Sequence, residues 1–191
     1  IDAVGEEKRV AFVSLVDALR GLGMLRASAK RVLTSHAPSM THIARPAADE
    51  HAPYDAGSID TAEQAVAQRG LTDVVALLDA QTADWQSLMA DVPEDRANFA
   101  YAPGKWTLAE SLVHVTDTER VFAYRLLRVS RGDRTPLPGF EQDDWVPASR
   151  ADRRSLADML AEMYAVRAAT LALVRSLDDE AIAQRGVASG K

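Results

Sequence analysis

The sequence predicts an all-α protein built as an up-down helical bundle, and two observations carry that reading. Apolar side chains recur at intervals of three and four along three separate stretches, as the buried stripe of a helix does. Strict apolar-polar alternation survives nowhere, and no segment repeats with the period of a solenoid. Helices of about 22 residues, each about 33 Å long, can pack as an antiparallel bundle, although the usual stable arrangement adds a fourth.

The first strong stripe is Leu71, Val74, Val75, Leu78, Trp85, Leu88, Met89 and Val92, closed by Pro93. The second starts at Thr107, which with Glu110 makes a T-x-x-E capping box that satisfies the first orphan amides of a helix over residues 108–130. Its stripe is Leu108, Leu112, Val115, Phe122, Leu126 and Val129, and Gly132 is placed to end it. Residues 133–149 hold Pro136, Pro138, Gly139 and Pro147 with Phe140 and Trp145, a loop long enough to be either a lid or a packed crossover. The third helix spans 155–177, with Leu156, Met159, Leu160, Met163, Val166, Leu171, Val174 and Leu177 facing inward. Residues 181–191 turn polar.

Upstream, residues 10–33 have near-helical apolar spacing broken by Gly21 and Gly23, and residues 36–57 contain Pro38, Pro46 and Pro53, which favour extended chain. The expected division is an N-terminal extension over 1–39, with a weak helix and no required part in the fold, and a helical domain over 40–191, incomplete at its C-terminus.

Composition removes several functions. The net charge is -6, with 22 Lys and Arg interspersed among 28 Asp and Glu, so no broad basic field exists to hold a phosphate backbone and nucleic acid is not an expected partner. With 0 cysteines there is no disulfide, no thiolate metal site and no cysteine nucleophile, and any metal must use His and carboxylates. The most apolar N-terminal stretch is interrupted by Asp17 and Arg20, which gives no expected membrane span or signal peptide and leaves a cytoplasmic location as the expectation.

Two runs, Tyr101-Ala-Pro-Gly-Lys-Trp106-Thr107 and Leu112-Val-His114-Val-Thr-Asp117-Thr-Glu119-Arg120, closely resemble the DinB-like (YfiT-like) family of metalloenzymes. The loop Arg131 to Phe140 and the closing Arg185 to Gly190 strengthen the resemblance, which covers about residues 40–191, with Met40 resembling a family member's natural start. It implies a four-helix bundle in which a divalent ion, zinc, nickel or iron, sits among three histidines, one on the second helix and two a turn apart on the fourth. His114 matches the first. No histidine follows it, so the expectation is a C-terminally truncated chain that lacks the fourth, metal-ligand helix and does not hold the metal tightly. Asp117, three residues on, shares the face of His114 and is the candidate to orient it or an adjacent water, whereas Glu119 points away and fits a surface or interhelical ion pair.

The implied activity is that of a hydrolase or a transferase using a low-molecular-weight thiol, on an unknown small molecule; no catalytic residue is assigned. The alternative is a non-catalytic helical bundle, without metal, that acts by dimerisation. His42 and His51, nine residues apart in the proline-rich arm, and His36 are poor ligand candidates. Trp85, Trp106 and Trp145 read first as packing groups, and Arg120, Arg125 and Arg128 as a solvated helix face paired with acids. Ser111, Thr116 and Thr118 lack a second His or a Lys to activate them as nucleophiles.

Overall fold

A computed structural model describes residues 74–182 and 184–189. The expected weak helix over 10–33, the proline-rich arm, the boundary at residue 40 and His36, His42 and His51 all lie outside the described residues. Within them the fold is all-α: α1 Val74–Met89, α2 Leu108–Ser130, α3 Gln142–Ala148, α4 Leu156–Arg175 and the short α5 Asp179–Ile182, with single 3-10 turns at Glu94–Arg96 and Ala151–Arg153. Among the described residues no helix is long and apolar enough to cross a membrane.

The helices α2 and α4 begin where their capping residues dictate. The Thr107 side chain accepts from the Glu110 amide at 3.1 Å while the Glu110 carboxylate accepts from the Thr107 amide at 2.8 Å, so the expected capping box forms in full. At the other end of α2, Gly132 takes φ +77°, its amide donates to Val129 and the Asp133 amide donates to Arg128. Those two bonds are a Schellman close, which requires a left-handed residue where glycine carries no penalty. Ser155 caps α4 by accepting from the Asp158 amide.

The core cluster joins Trp85 and Met89 of α1 and Val92 just after it to Leu108, Leu112, Val113 and Val115 of α2 and Leu156, Met159 and Met163 of α4. One turn organises this end. The Ala109 amide donates to the Ala97 carbonyl at 2.8 Å, and the Leu156 amide donates to the Glu94 carboxylate at 2.7 Å, so α2 and α4 both start beside residues 94–97. They therefore run the same way, while α1 runs toward that turn and against both. The expected strict alternation of directions does not hold for α2 and α4, because the 131–155 crossover is long enough to carry the chain back before α4 begins.

That crossover is packed. Leu137 and Val146 are buried, α3 lies against α2, and Leu137 forms a parallel bridge with Ala188, its amide donating to Val187 while the Ser189 amide donates back. The tail sits close to α2. A Cβ at Gly186 would come within 2.5 Å of Val129, so only glycine allows that approach.

Candidate functional site

Helical geometry gives α2 two working faces. Residues 114, 118, 122 and 125 are separated by four, four and three positions, so they fall on one side of the helix. That side is covered by the crossover. The Arg125 guanidinium donates to the Pro138 carbonyl at 2.8 Å and to the Ser189 hydroxyl at 2.9 Å, and lies 5.4 Å from the Phe122 ring centre and 5.9 Å from that of Phe140. Arg125 is buried, which corrects the expectation of a solvated arginine: its neighbours are carbonyls, hydroxyls and aromatic faces that can take a weakly hydrated planar cation. Arg120 and Arg128 do pair with acids, Arg120 with Asp117 and Glu162, Arg128 with Asp133.

His114 lies toward the N-terminal end of this side. Trp106 packs on its imidazole with ring centres 4.8 Å apart and planes tilted by 53°. The tryptophan is fixed by the tight loop before α2, where Ala100 bridges to Thr107, Gly104 turns at φ +71° and the Leu108 amide donates to Phe99. Burial pushes the His114 pKa down from 6.5 to about 4, and the Asp143 carboxylate at the start of α3 pulls in the opposite direction. The ring is thus neutral at neutral pH, the protonation state a metal bond needs.

Asp117 is half-buried and accepts from Arg120 at 3.2 Å; burial raises its carboxyl pKa, with Arg120 opposing. Glu119 forms an interhelical ion pair, as one of its two expected roles had it, but deep in the core: both carboxylate oxygens accept from Arg167 of α4 at 2.8 Å. Arg167 also donates to the Leu78 carbonyl at 3.3 Å and so ties α1, α2 and α4 together.

Trp85 is buried as a packing group, and Trp106 packs on the site, whereas Trp145 is 44% exposed beside Phe140. Sequence reasoning passed over Asp143, one acid among several in a loop whose course was unknown, and set Thr118 aside as a nucleophile without giving it another role. The Thr118 hydroxyl is buried without a hydrogen-bond partner.

These residues fit a divalent ion in part. A neutral imidazole and an orphaned buried hydroxyl one turn along match one side of a metal centre, but among the described residues no three of His, Asp and Glu come together as a ligand set.

A family model for the DinB superfamily matches residues 77–191. No curated protein and no solved structure matches the chain.

Proposed function

The chain belongs to the DinB superfamily, and on that premise we propose that it is a metal-associated protein in which His114 supplies one bond to a divalent ion. The observation that carries this reading is the imidazole itself, partly buried against Trp106 and kept unprotonated by that burial. An ion bound there, zinc, nickel or iron, would supply Lewis acidity, lowering the pKa of water or holding a thiol as thiolate. The reaction classes that suit this chemistry are hydrolysis and transfer to a low-molecular-weight thiol.

The chain's own groups have separate tasks. His114 binds, Trp106 fixes the ring plane, and the crossover residues Leu137, Phe140 and Val146 keep bulk water from this side of α2. Asp117 orients His114 or an adjacent water. In this proposal the remaining donors lie outside the described residues. Arg125 holds Ser189 on the side of α2 that carries His114, about 16 Å along the axis at 1.5 Å per residue.

The test is elemental analysis of the full-length protein with and without His114→Ala. The expected result is about one zinc, nickel or iron per chain, lost in the variant. If the protein carries no metal, His114 is structural and the reading passes to a non-catalytic bundle.

A further inference from the structure

The described helices contain four threonines, and they do not behave alike. Thr82 donates to the Leu78 carbonyl at 3.2 Å, Thr116 to Leu112 at 2.9 Å and Thr170 to Val166 at 3.1 Å, each folding its hydroxyl back on the carbonyl four residues earlier. This is the ordinary way to satisfy a hydroxyl inside a helix. Thr118 has the same option, the His114 carbonyl, and does not take it: it is 8% exposed and its Oγ1 has no partner. A buried hydroxyl left unbonded destabilises a protein, so a hydroxyl that declines an available acceptor needs an explanation.

Its place in the helix supplies one. Thr118 lies four residues after His114, one turn along the same side, with Phe122 and Arg125 following beneath the crossover. We infer that Thr118 is a binding group of this site: its hydroxyl donates a hydrogen bond to an acceptor atom, a water or carboxylate oxygen or a thiolate sulfur, held beside His114. The inference rests on the metal reading for the identity of the centre and adds a residue and a ligand chemistry to it. Thr118 takes no part in bond making. It selects ligands that present an acceptor one turn from the imidazole and helps retain them.

Thr118→Val keeps the shape and removes only the hydroxyl, so it separates binding from structure. Three measurements on wild type, Thr118→Val, Thr118→Ser and His114→Ala decide the matter, made on the full-length protein: the Tm of the metal-free form, the Kd for Ni2+ by calorimetry, and circular dichroism to confirm the fold. The expected result is a Tm for Thr118→Val above wild type by a few degrees, because an unsatisfied buried group has gone, together with about tenfold weaker Ni2+ binding. Thr118→Ser should bind Ni2+ as wild type does.

A lowered Tm in Thr118→Val would show that the hydroxyl is structural and overturn the inference. So would weakened binding in both Thr118 variants, which would assign the effect to the methyl group. Unchanged Ni2+ affinity in Thr118→Val with binding lost in His114→Ala overturns the role of Thr118 and leaves the metal reading standing. Failure of wild type to bind Ni2+ overturns both.

Discussion

The two sides of α2 solve the problem of buried polar groups in opposite ways. Toward α4, Glu119 and Arg167 sit almost wholly out of water, with side chains 3% and 5% exposed, and each buried polar side-chain atom of the pair has a partner: two bonds between the pair and further ones from Arg167 to Leu78 and Gln81. Toward the crossover, His114 is forced neutral by its surroundings and Thr118 keeps an unbonded hydroxyl. A closed network fixes one packing of three helices, whereas unsatisfied groups raise the energy of the resting protein unless something else completes them. Stability resides on the first side and the proposed ligand chemistry on the second.

The sharpest way to break this comparison is to open the closed network. Glu119→Ala leaves the Arg167 guanidinium buried without its carboxylate, and removing one partner of such a pair costs about 3–5 kcal/mol. In urea denaturation the midpoint should fall accordingly. Replacing both, Glu119→Leu with Arg167→Met, should recover most of the loss, since an apolar pair of similar volume avoids the desolvation of two charges. A single variant within about 1 kcal/mol of wild type would mean that the pair is not a determinant of helix packing.

The second test turns on His114. Its pKa in the fold is about 4 against 6.5 in an exposed imidazole, so between these values the unfolded chain binds a proton that the folded chain refuses. Stability therefore rises with pH across that window: the contribution is present in full above pH 6.5 and is lost as pH falls toward 4. Going from pH 7.5 to 5, the metal-free protein should lose about 2 kcal/mol through this residue alone, and His114→Gln should remove that part of the pH dependence. An unchanged slope in the variant would show that the imidazole titrates normally and that its surroundings are not as dry as the fold implies.

How far each side could be read from sequence follows from the range of the forces involved. The bounds of α2 were legible because the capping box and the closing Gly132 are local signals, satisfied within four residues of themselves. His114 was legible through the resemblance of its run, and Glu119 as an ion-pair residue because, five positions on, it points away from His114. The burial of Arg125 was not, since it depends on Pro138 and Ser189, 13 and 64 residues away in sequence. The orphan state of Thr118 was equally hidden: four threonines with the same local options look identical until the packing around them is known. The common direction of α2 and α4 was also beyond reach, because only the 94–97 turn, which caps α4 and pairs with α2, reveals it.

The smallest expected effect sharpens the comparison by contrast, and it lies one residue from the largest. Arg120 donates to Asp117 at 3.2 Å and to Glu162 of α4 at 2.6 Å, so by geometry alone it bridges the same two helices as the Glu119–Arg167 pair. Its side chain is 47% exposed, however, and water screens the attraction and competes for both partners. Arg120→Ala should change unfolding free energy by no more than about 0.5 kcal/mol, an effect that shrinks further in 1 M salt. The cleaner readout is local: with the guanidinium gone, nothing at that position opposes the effect of burial on Asp117, and its carboxyl pKa should rise further, as followed by carboxyl NMR titration. If Arg120→Ala instead destabilised the protein as much as Glu119→Ala, exposure would not be what separates the two pairs, and the assignment of stability to the buried side of α2 would fail.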